Sequence, residues 1–155
     1  MKKIDITEGV TMQRIESGIT CFHNTSAGRL KLNGNIWFYE NDKISAGRLS
    51  EPQTIESPAG TLKVKGKIKF YESGKTSDCR LSESQVIDTP VGNLELYGDI
   101  WFHKNGRIKV ICLNDKLKID REVFMKETKI GWDEEGDFTG KMAYDVVLDD
   151  FVPEK

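Results

Sequence analysis

The sequence predicts an all-β protein made of three 32-residue repeats of antiparallel strands, stacked as a β-solenoid or elongated roll with degenerate ends. Three observations carry this expectation. First, residues recur at intervals of 32: Leu30, Leu62 and Leu94; Gly34, Gly66 and Gly98; Ile36, Ile68 and Ile100; Phe38, Phe70 and Phe102. Second, within each unit apolar residues alternate with polar ones, as Leu62, Val64, Ile68 and Phe70 do with Lys63, Lys65, Lys67 and Lys69. A period near 32 would also fit helical arrays, but period two belongs to strands, whose successive side chains point to opposite faces. Third, turn residues punctuate the units at fixed places. The pentapeptide SAGRL, present at 26–30 and again at 45–49, occupies two different phases of the unit and is not the repeat.

Taken in order, residues 1–25 form an N-terminal cap, in which Ile15-Glu16-Ser17-Gly18 echoes Ile55-Glu56-Ser57-Pro58. Residues 26–120 hold the three repeats. Each opens with a long strand (RLKLNGNIWFY, TLKVKGKIKFY, NLELYGDIWFH) that carries a glycine on its apolar face, where a bend, a bulge or close backbone packing is expected. A tight two-residue hairpin follows at Asn41-Asp42, Ser73-Gly74 and Asn105-Gly106. The chain returns through ISAGRL, TSDCRL or IKVICL and enters a short third strand around Ile55, Ile87 and Ile119. TSAG, SPAG and TPVG turn the chain into each long strand. One such unit cannot cover its own apolar face; stacked units bury a continuous ladder, each side chain contributing roughly 1.5–3 kcal/mol. A two-sheet sandwich of the same hairpins is the alternative. After Asp120 the phase is lost, although WDEEGDF resembles FHKNGRI, and residues 121–155 are expected to form an acidic cap with a short strand in KMAYDVVLDDF that protects the terminal edge.

At 155 residues, 37% hydrophobic and 31% charged, the chain has the length and composition of one folded domain. It contains no apolar run long enough for a membrane helix. The start, MKKIDITEG, lacks the apolar stretch of a signal peptide, and the three cysteines fit no zinc spacing; free thiols and a cytoplasmic location are the expectation. The net charge of −2 is uneven. Residues 131–155 hold eight acids against Lys141 and Lys155, a balance of −6, which leaves +4 on residues 1–130.

The hairpin motif FYENDK, FYESGK, FHKNGR is similar to that of bacterial variants of MORN repeats, found in some antitoxin-like and surface proteins. The likeness spans about residues 28–120. It implies a β-hairpin repeat scaffold, with lipid binding or scaffolding as the associated roles.

Candidates for chemistry are few. His103 shares a column with Tyr39 and Tyr71, so a ring at a hairpin mouth accounts for it. Cys21-x-His23 offers two metal ligands where a structural site needs four. No catalytic set, phosphate loop or calcium loop can be assembled by spacing, and no cofactor is expected. The polar face of the long strands is more informative. Trp37, Lys69 and Trp101 share one column, Tyr39, Tyr71 and His103 the next, with Tyr97 nearby. These seven residues predict an exposed aromatic strip flanked by lysines, Lys67 among them. Such a strip suits a protein or glycan partner better than nucleic acid. The function expected is a non-enzymatic binding module. The alternatives are a structural protein that forms a homo-oligomer through strand edges, and a hydrolase or metal-dependent enzyme using His23 and His103.

Overall fold

The computed structural model describes residues 20–141 and, before them, the backbone of 4–7 and 10–14. Every regular element among these is a strand. They are β1 (Ile4–Thr7), β2 (Val10–Arg14), β3 (Cys21–Thr25), β4 (Gly28–Tyr39), β5 (Ile44–Leu49), β6 (Gln53–Ser57), β7 (Gly60–Phe70) and β8 (Thr76–Leu81). There follow β9 (Gln85–Thr89), β10 (Gly92–Leu96), β11 (Asp99–Phe102), β12 (Ile108–Cys112), β13 (Leu117–Ile119), β14 (Glu122–Phe124), β15 (Lys129–Trp132) and β16 (Phe138–Lys141). A twelve-stranded sheet runs β1-β2-β4-β5-β7-β8-β11-β12-β15-β16, with β3 attached to β4 and β6 to β7. β9–β10 and β13–β14 are separate two-stranded hairpins. All pairings are antiparallel, and no sheet closes into a barrel.

The mid-strand glycine decides the pairing. Residues 28–32 of β4 pair with β3, whereas residues 35–39 pair with β2, so the partner changes around Gly34. The same exchange occurs at Gly66, from β6 to β5, and at Gly98, from β9 to β8. All three glycines have positive φ, between 70° and 79°. A Cβ added at Gly34 or Gly66 would meet nothing within 4 Å, so the backbone dihedral and not lack of room demands glycine there. Of the three causes expected from sequence, the bulge is the one present. Against β8, the partner sum steps from Lys65↔Arg80 to Ile68↔Cys79, a slip of two residues. A slip of two keeps every side chain on its original face, which is why the alternation reads unbroken through the glycine.

The turns differ slightly from expectation. The nitrogen of Asp42 bonds to the Tyr39 carbonyl and that of Tyr39 to Lys43, enclosing three residues rather than two. The left-handed position falls on Asp42, Gly74 and Gly106, as in a type I turn with a glycine bulge. The same two hydrogen bonds recur at Asp133, Gly136 and Asp137, 30 residues after their equivalents at His103, Gly106 and Arg107. The offset has a local cause. The turn between β13 and β14 holds two residues between paired Ile119 and Glu122, with Asp120 at positive φ. Thr89 and Gly92 in the preceding hairpin are likewise separated by two residues, but the Leu81-to-Thr89 segment is two residues longer than Leu113-to-Ile119. Residues 129–141 thus add β15 and β16 to the main sheet in the same meander. The expected strand in KMAYDVVLDDF and the echo at residues 15–18 lie outside the described residues.

The core is one cluster of Leu30, Leu32, Ile36, Leu49, Ile55, Leu62, Val64, Ile68, Phe70, Leu81, Ile100, Phe102, Ile111 and their neighbours, extending to Phe124, Ile130 and Trp132. Lys67, expected on an exposed face, is only 8% exposed. It follows the left-handed Gly66 inside the bulge of an interior strand, with β5 and β8 on either side.

Two changes test this account. Phe70→Ala should cost about 3–5 kcal/mol in urea melts, because a ring 3% exposed leaves a core cavity. Gly66→Ala should cost about 1–2 kcal/mol although no atom obstructs its methyl group, since the penalty lies in the left-handed backbone.

Candidate functional site

The expected aromatic strip exists as a row but not as an exposed surface. Cross-strand pairs join Trp37 to Ala46, Ala46 to Lys69, Lys69 to Asp78, Asp78 to Trp101 and Trp101 to Val110. Lys69 thus does lie between the two indoles. Yet Trp37 is 4% and Trp101 8% exposed, both buried outside the main core cluster. Each occupies an interior strand, paired along both edges. An exposed indole platform is therefore corrected to a buried row.

The next column serves the fold. The Tyr39 hydroxyl donates to the Phe70 carbonyl at 2.7 Å, and the Tyr71 hydroxyl donates to the Phe102 carbonyl. His103 Nε2 lies 2.8 Å from the Trp132 carbonyl, which can only accept, so this nitrogen carries the proton. Each ring bonds one hairpin to the next. Asn41 and Asn105 do likewise: Oδ1 accepts from the backbone of the residue two positions on, and Nδ2 donates to Glu72 or Glu134. Tyr97 reaches Glu127 at 3.2 Å. Gln53 and Gln85 form a further bridge, each amide bonding both the nitrogen and the carbonyl of Lys31 or Lys63.

Asp78 is the residue that sequence reading missed. In the column Ala46, Asp78, Val110 it is a carboxylate among apolar residues, a signal present in the sequence. It is 3% exposed. Loss of water pushes its carboxyl up to about 6, which the Ser77 hydrogen bond and the charges of Lys69 and Lys109 oppose and Asp99 reinforces. Arg80 and Asp99 form an ion pair beside it at 2.8 Å.

Two grooves open where the hairpin tips meet. The first, about 330 Å³, has Phe38, Ile44, Phe70 and His23 as its floor and Asn24, Thr25, Ser26, Asp42, Lys43, Ser73 and Gly74 around it. The second, about 530 Å³, is lined by Glu56, Ser57, Pro58, Lys75, Thr76, Asn105, Gly106 and Arg107, and shares Ser26 with the first. Glu56, Ser57, Pro58, Lys75, Thr76, Asn105 and Gly106 stand 32 positions after residues of the first groove. The grooves are one arrangement, used twice. Ser26 Oγ donates to the Gly74 carbonyl, tying the tips together. His23 replaces the buried Ile55 and Ile87 of its column and packs edge-on against Phe38, with ring centroids 5.9 Å apart. Burial lowers its pKa.

His103 is engaged with a backbone carbonyl, and His23 belongs to the other end of the described sheet; the two are not brought together. Among the described residues no group of three or more potential ligands could hold a metal ion. Cys21, Cys79 and Cys112 are free thiols, and burial raises the pKa of Cys79 strongly. Among the described residues no helix is long and apolar enough to cross a membrane. In comparisons with known proteins, no family model, no curated protein and no solved structure matches the chain.

Stability should fall as pH rises through the Asp78 transition. The folded-state pKa of about 6 lies above the ordinary 3.8, so the favourable contribution is complete below about pH 4 and lost above pH 6. The rise from 3.8 to about 6 corresponds to roughly 3 kcal/mol. Asp78→Asn should remove that slope, giving a variant more stable than the parent at pH 7.5 and similar at pH 4; parallel pH profiles in urea melts would contradict this. Tyr71→Phe should cost about 0.5–1.5 kcal/mol with strand content unchanged, as expected for one inter-hairpin hydrogen bond.

Proposed function

We propose that this chain is a non-enzymatic β-repeat module, a solenoid-like stack of hairpin units that binds a protein or glycan partner through grooves at its hairpin tips. The observation that carries the reading is the pair of grooves built from equivalent residues one unit apart, sharing Ser26 as a wall. A repeated groove presents the same lining at successive steps along an edge, which suits an elongated ligand. Volumes of about 330 and 530 Å³ fall within the usual range for ligand sites. The buried indoles turn the choice away from the strand face and towards the tips. The likeness of the hairpin motif to MORN variants supports a scaffold role of the same kind.

The test uses the shared wall. Ser26→Trp places an indole at an exposed position between both grooves and leaves the core untouched. Capture of protein and glycan partners by the immobilised chain should fall at least tenfold in this variant, with the melting temperature within a few degrees of the parent. Undiminished capture would remove the tips from consideration as the binding surface.

A further inference from the structure

The first groove differs from the second in its floor, and the difference is chemical. Where the next two units bury Ile55 and Ile87, this one has His23, and the aromatic Phe38 lines the opening together with Ile44 and Phe70. Three apolar side chains thus form one side of the groove. Polar groups border the same opening: the His23 imidazole and the Asp42 carboxylate have no side-chain hydrogen bond to another described residue. Lys43 donates one of its three protons to the Ser73 carbonyl at 3.0 Å and retains two. Lys43 and Asp42 cancel in formal charge, and burial of the imidazole disfavours its charged form. A ligand matching this groove must be uncharged, apolar on one face and rich in hydroxyls around its edge.

We propose that the groove between His23, Phe38 and Lys43 is a subsite for one neutral hexopyranose ring, the terminal residue of a glycan that continues past Ser26 into the second groove. This rests on the binding reading above. The ring's C–H face would lie on the aromatic and aliphatic floor, where the negative face of Phe38 attracts polarised hydrogens. Its hydroxyls would donate to Asp42 and accept from Lys43, with His23 able to do either according to tautomer. A leucine or phenylalanine side chain from a protein partner would satisfy the floor alone and leave the polar rim buried without partners, a cost of about 1–3 kcal/mol per group. That asymmetry selects the sugar.

The experiment titrates the isotopically labelled full chain with methyl glucopyranoside, methyl galactopyranoside and methyl mannopyranoside, following backbone amide shifts. At least one should move the amides of Asn24, Ser26, Phe38 and Lys43 saturably. His23→Ile, which restores the residue type of the next two units and so preserves the fold, should weaken that titration at least tenfold. No saturable shift with any of the three sugars, or shifts indifferent to His23→Ile, would overturn the subsite. The binding reading is judged separately. If partner capture still depends on Ser26 while the sugars fail, the subsite alone is wrong; if capture ignores Ser26→Trp, the reading beneath it falls as well.

Discussion

A single left-handed residue in the middle of each long strand is the constraint on which the rest depends. β4 and β7 have to pair along one edge with two different strands in succession, and the exchange is made at Gly34 and Gly66. An L-residue with a Cβ pays for that dihedral, and glycine does not. The two-residue slip that accompanies the exchange preserves the alternation of faces, so the same strand can feed one core throughout its length. In the unit around β14 and β15 the corresponding pairing change lies across a break in the strand, where Glu127 has a φ of 71°.

Once the strands are placed, the hairpins are held in order by side chains that imitate backbone. The Tyr39 and Tyr71 hydroxyls and the His103 imidazole each satisfy a carbonyl one hairpin away. Gln53 and Gln85 present an amide to both backbone groups of a single lysine, as a neighbouring strand would. These bonds explain why rings that look suited to a ligand are committed to the fold. They also account for the interchange of tyrosine and histidine in one column: either supplies a donor at the same reach.

The middle of the row shows the cost of departing from the pattern. Trp37 pairs with Ala46 and Trp101 with Val110, but the equivalent pair between them is Lys69 with Asp78. Buried between interior strands, that carboxylate loses more from desolvation than its neighbouring cations return, and its pKa rises. A polar pair in place of an indole and a small apolar residue makes this position dependent on pH where its counterparts are not.

Periodicity alone determined the strands of the three units, the places of their turns and the core residues within them, because local alternation and the requirement for glycine at left-handed positions are properties of the chain itself. Leu62, Val64, Ile68 and Phe70 were legible as core for that reason, and all four are buried. The exposure of the other face was not legible. Period two states that Trp37 and Lys67 point away from Phe70, but whether that side meets water depends on the position along the strand: Trp37 and Lys67 are buried there, whereas Lys63 and Lys65, on the same strand as Lys67, are exposed. The continuation of the meander beyond Asp120 was likewise hidden by a shortened segment that moved the phase by two residues. The grooves are a product of tertiary structure entirely: Ser26 and Gly74 are 48 residues apart and meet only because equivalent turns come together. His23 in an isoleucine column was the one trace of them in the sequence, and its meaning required knowing that the column lines an opening.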